Sequence, residues 1–114
     1  MINNMKSQKM YTIITMVPAS HTDNVIEAMA EAGAGVIGEY THNAYITHGE
    51  GNWFSGENSN PTIGKAGTMS REGEDKVEMV CPIDKLEQVV EACKKAHPYE
   101  TPNIQAYEIE LFVQ

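Results

Sequence analysis

Apolar residues fall along this chain in short alternating runs and in two helical stripes. Tyr11 to Val17 (YTIITMV) is β-branched and aromatic and ends at Pro18, which predicts a strand. Ser20 and Asp23 read as a helix start, because a hydroxyl oxygen and a carboxylate satisfy the free N–H groups of a first turn. Val25, Ile26, Met29 and Ala32 follow at helical spacing, and Gly33, Ala34 and Gly35 stop the helix. A second strand is expected from about Glu39 to Thr47, with Tyr40, His42, Ala44 and Ile46 on one face.

The pattern then breaks. His48 to Asp75 is polar and glycine-rich and reads as a long connection, whereas Val77 to Cys81, closed by Pro82, reads as a third strand. Leu86, Val89, Val90, Cys93 and Ala96 form the stripe of a second helix, with Asp84 and Glu87 as its expected caps. The residue before a proline resists helical geometry, so His97-Pro98 ends it. In Ile104 to Val113, Tyr107, Ile109, Leu111 and Val113 alternate with Glu108 and Glu110, and the apolar set is expected to point inward. The order βα, ββ, αβ predicts an α+β, ferredoxin-like βαββαβ domain. Each helix has one stripe to hide, so both cover one face of a four-stranded antiparallel sheet, with a long loop between strands 2 and 3. Residues 1–10 are expected to be a flexible N-terminal extension, and 11–114 a single domain.

Composition narrows the function. The 114 residues suit one core, and a chain of this size buries roughly two-thirds of its unfolded surface. A formal charge of -8 repels phosphate backbones and anionic membrane surfaces, so neither nucleic acid nor a membrane is an expected partner. Cys81 and Cys93 have no CxxC spacing and sit among apolar residues, as buried reduced thiols do. With no apolar secretory region in Met1 to Met10, the expected location is the cytoplasm.

Few motifs carry chemistry. Gly33 to Gly38 spells G-x-G-x-x-G, but a helix precedes it and a strand follows, the reverse of a dinucleotide cradle. His42 and His48 flank the end of the expected second strand with Glu50 nearby. With His97 they are the candidate ligands for a divalent metal ion, although no tight spacing gathers three ligands within one element. No nucleophile–base pairing is visible, so no enzyme is expected. Trp53 and Phe54, between Gly51 and Gly56, are aromatic residues in a polar stretch that need a ligand, a partner subunit or the domain itself to cover them. His97, Tyr99 and Glu100 lie in HPYETP, where prolines at both ends make a stiff bend. These five are the ligand or interface candidates. An isolated four-stranded sheet also leaves two unpaired edges, which points to self-association.

The stretch GAGVIGEY, then GEGNWF, NPTIG, VEMV and AHPYETP, resembles the YqfO-type domain in content and order, from about Tyr11 to Leu111. That domain occurs alone in short bacterial proteins and inserted in longer relatives of the NGG-one-interacting-factor-three-like group. HPYE followed by Pro102 is also similar to a segment of CutA, a trimeric protein linked to divalent-cation tolerance. The resemblance implies a CutA- and PII-like fold, a homo-trimer and a regulatory or sensing module that binds a small ligand, metal ion or partner protein. A divalent-metal binder of cation-tolerance type is the alternative it implies. In the long relatives the dinuclear metal centre belongs to the flanking halves, so no hydrolase or cyclohydrolase activity is implied for these residues. Val36, Asn43-Ala44 and Ser55-Gly56 depart from the pattern, which commonly has arginine, cysteines and an Arg-Pro pair there. A transferred thiol–metal or anion site is therefore not implied.

Overall fold

The computed structural model describes residues 6–113. Four strands, β1 (Lys6–Pro18), β2 (Tyr45–Phe54), β3 (Met69–Pro82) and β4 (Ile104–Val113), form one antiparallel sheet in the order β2-β3-β1-β4. Helices α1 (Thr22–Glu31) and α2 (Leu86–Ala96) connect β1 to β2 and β3 to β4. The expected ferredoxin-like βαββαβ arrangement is therefore present.

The core lies between the helices and one face of the sheet. Ile13 and Val17 of β1 and Val77, Met79 and Cys81 of β3 meet Val25 and Met29 of α1 and Val89 and Cys93 of α2. The helical pairs are spaced i,i+4, one turn apart on a single face. Cys81 and Cys93 are buried and free, and burial pushes both thiol pKa values up. Gly33 ends α1 at φ 121°. Its N–H donates to the carbonyl of Ala30 (3.0 Å) and that of Ala34 to Met29 (3.0 Å), a pairing that closes the last turn.

Five expectations need correction. Neither helix has a side-chain N-cap. Each follows a single 3-10 turn (Ala19–His21 and Ile83–Lys85), whose backbone leads into the helix. Ser20 Oγ instead meets His21 Nδ1 at 2.9 Å. Residues 6–10, placed in the flexible extension, pair with β4 from Lys6↔Val113 to Met10↔Ile109, and Met10 is buried. Residues 1–5 lie outside the described residues.

The second strand starts at Tyr45, not Glu39, because Tyr40 and His42 belong to a turn in which His42 takes φ 60°. Half of the polar stretch is strand as well. β2 and β3 pair from Tyr45↔Glu78 to Phe54↔Met69, leaving only residues 55–68 as the connection. This hairpin extends a molecule measuring 56 × 26 × 21 Å, and hydrogen bonding between its strands holds it where alternation is missing.

The last correction concerns β4. Tyr107 and Ile109 pair with Thr12 and Met10, whereas Ile104 and Ala106 pair with Thr15 and Ile13. Opposed residues share a face. The apolar set Tyr107, Ile109 and Leu111 therefore lies on the sheet face away from the helices, with Met10 and Ile14. Those two are buried yet outside the inter-layer cluster.

Candidate functional site

The HPYETP bend is anchored from beneath by its histidine. His97 is buried, and its Nε2–H donates to the Met16 carbonyl of β1 at 2.7 Å, while Nδ1 accepts the Tyr99 N–H at 3.2 Å. That pattern requires the neutral ring. Burial lowers its pKa, against the opposing Met16 bond and the charge of Glu74.

Tyr99 stands above. Its hydroxyl donates to Glu74 Oε2 at 2.8 Å, and its ring lies 5.1 Å from His97 and 5.4 Å from Trp53. Burial, followed by the Glu74 bond and charge, holds the phenol pKa well above its ordinary value. Glu74 reaches Tyr99 across Gly51, where a Cβ would collide with the carboxylate. The β2–β3 connection closes over the bend: the Asn60 N–H donates to Glu100 Oε1 at 3.1 Å and Thr62 Oγ1 to the Pro98 carbonyl at 2.6 Å.

Between these parts lies an open cleft of about 540 Å³. Trp53, Phe54, Tyr99 and Glu100 all line it, and His97 sits behind Tyr99. Residues 46 apart in sequence thus meet because the hairpin end and the bend occupy one end of the sheet. The cleft also contains Glu50, Glu74, Met16 and Ser55. Ser55 Oγ is buried with no hydrogen-bond partner among the described residues.

The candidate metal histidines are dispersed. His42 Nε2 meets Glu27 at 3.1 Å and its Nδ1 meets Thr41 Oγ1 at 2.9 Å, on an exposed surface lining neither this cleft nor the hollow beside Thr12 and Val80. His48 Nδ1 meets buried Asp75 at 2.6 Å, and both nitrogens of His97 are engaged as described. Among the described residues, no group of three or more His, Cys, Asp or Glu side chains could hold a metal ion. Thr22 donates to the other oxygen of Asp75 at 2.6 Å, and the Thr22 bond, followed by the His48 bond, lowers the Asp75 pKa. Thr22 therefore contacts the carboxylate rather than the imidazole, which is not the order of a nucleophile–base pair.

No family model matches the chain. A GTP cyclohydrolase 1 type 2 homolog from Halalkalibacterium halodurans is 38% identical over 101 residues, which is 89% of this chain and 27% of the relative. The chain spans about a quarter of the length of the curated relatives it matches. The crystal structure of a Bacillus cereus protein related to NIF3 superposes with a TM-score of 0.73 at 28% identity, covering 91% of this chain and 26% of that one. The periplasmic divalent cation tolerance protein CutA from Archaeoglobus fulgidus gives 0.63 at 16% identity, over 90% of this chain and 84% of its own, a likeness of fold alone. This chain is a YqfO-type domain of CutA- and PII-like fold.

In this YqfO-type domain the aromatic and bend residues of the cleft stood out in sequence as oddities. Glu74 did not, and Ser55 did so only as a departure from the family pattern, because a carboxylate or hydroxyl in a polar run carries no signal until the strand register is known. Among the described residues, no helix is long and apolar enough to cross a membrane.

Proposed function

We propose that this domain is a non-catalytic, self-associating regulatory or sensing module, a homo-trimer, that acts by binding a small ligand in the cleft between the hairpin and the HPYETP bend. The observation that supports it best is the convergence of Trp53, Phe54, Tyr99 and Glu100 on one cavity whose volume suits a small molecule. Self-association is supported by the sheet face away from the helices, where Tyr107 is 52% exposed beside Ile109 and Leu111 on one edge strand and Tyr45 is 71% exposed on the other. The free buried thiols fit a reducing compartment, the cytoplasm.

A second reading, a divalent-metal binder, draws on His48. Asp75 holds its Nδ1 while its side chain is 84% exposed, leaving Nε2 to meet a metal in the way carboxylate-backed imidazoles do. Native mass spectrometry of the untagged protein separates the two. The first reading expects a trimer retaining a small molecule, the second a stoichiometric metal ion, and a bare monomer contradicts both.

A further inference from the structure

The chemistry lining the cleft indicates what kind of ligand it takes. Two carboxylates, Glu74 and Glu100, stand beside Trp53 and Tyr99 there, and among the described residues none that line it is Lys, Arg or His. Of these, Glu74 gives one oxygen to the Tyr99 hydroxyl and Glu100 one oxygen to the Asn60 N–H, so acceptor positions remain on each. Such a site attracts cations and repels phosphates, and the chain's net charge of -8 extends the same field outward. Trp53 and Tyr99 add aromatic faces, which favour a positive charge through the ring quadrupole.

Ser55 is an independent observation. It lines the cleft, is only 4% exposed, and its Oγ has no partner among the described residues. A buried hydroxyl left unpaired is costly, and native folds pair such groups with protein, water or ligand. It could accept a bond from a ligand N–H, which a fully alkylated ammonium does not offer.

We infer that the cleft binds a small organic cation bearing N–H donors, an alkylammonium or alkylguanidinium, with its charge between Glu74 and Glu100 and its alkyl part against Trp53 and Tyr99. This inference rests on the cleft being the module's ligand site, and it replaces "a small ligand" with a chemical class. Anionic ligands such as nucleotides are excluded from the cleft by the same carboxylates.

Trp53 is the single tryptophan, so intrinsic fluorescence reports on the cleft directly. Titrations of the full chain would compare n-butylammonium and n-butylguanidinium with tetramethylammonium, n-butanol, ATP and zinc ion. A saturable change is expected with the first two, weaker by at least about fivefold with tetramethylammonium and absent with n-butanol and ATP. Glu100→Gln and Ser55→Ala should each weaken n-butylammonium binding by about fivefold or more, whereas Glu91→Gln on the far side of α2 should leave it unchanged. Ser55→Ala removes the unpaired hydroxyl, so it should melt no lower than the parent, which keeps its binding loss separate from unfolding. A response to ATP, or equal binding by n-butanol, overturns the cationic class while leaving the cleft a ligand site. A response to zinc ion alone overturns it in favour of the metal reading. No response to any probe, with no retained molecule in the native spectrum, overturns both this inference and the ligand-binding reading.

Discussion

The ring of Tyr99 lies 5.4 Å from that of Trp53, tilted by 56°, and its hydroxyl is held by Glu74 on β3. One tyrosine thereby ties the end of the hairpin to the bend that precedes β4. Tyr99→Phe should keep the ring contact but lose the Glu74 bond. We expect a loss of about 0.5–1.5 kcal/mol in urea denaturation, larger if Glu74 remains dry. Tyr99→Ala should cost more and shift the Trp53 emission.

His97 supports the bend from behind. His97→Ala removes a buried ring and both of its bonds, to Met16 and Tyr99, and should cost about 2 kcal/mol or more in thermal or urea melts without altering metal stoichiometry. Loss of bound metal at unchanged stability would contradict the structural role.

The same histidine sets a pH dependence. Its native pKa lies below the unfolded value, so the fold favours the neutral ring. Its stabilising contribution is full above about pH 6.5 and is lost as pH falls from there through the lowered native pKa. Glu74 and His21 act on the ring in opposite directions, so the profile should be compared with that of His97→Gln. That variant should flatten the limb below pH 6.5. The Asp75 carboxyl, also lowered, acts in a separate window: its contribution is present above about pH 4 and lost below it.

Thr22→Val isolates the buried Asp75. The substitution keeps the shape but removes one of the bonds the carboxylate accepts, at an expected cost of about 1–3 kcal/mol, seen as a lower urea midpoint at unchanged slope.

The sheet face away from the helices should be the contact between subunits. Ile109→Glu is expected to convert the oligomer to monomers in sedimentation velocity with its helical circular dichroism intact. A monomeric parent at tens of micromolar would contradict self-association.

Element order and both helices were legible because each buries a single stripe at helical spacing, such as Val25 with Met29 and Val89 with Cys93. The outer halves of β2 and β3 were not. HGEGNWF is largely exposed, and the half-covered face of MSREGED carries Ser70, Glu72 and Glu74, so no apolar alternation marks either run, and backbone bonds between the strands hold them. β4 shows the reverse case. Its alternation through Tyr107, Ile109 and Leu111 was readable, but which face it served depended on its pairing with β1. At the site, Trp53, Phe54, Tyr99 and Glu100 were visible as residues out of keeping with their surroundings. Their meeting, and the parts played by Glu74 and Ser55, required the register.

The most direct test of the cleft as the ligand site is an NMR titration of the full chain with n-butylammonium, following the one indole N–H resonance of Trp53. The account predicts that this peak shifts together with the backbone amides of Ser55, Asn60 and Tyr99, while Val25 and Val89 in the core stay still. No shift at Trp53, or shifts centred instead on Ile37, Tyr45 and Val80 in the other hollow, would contradict it.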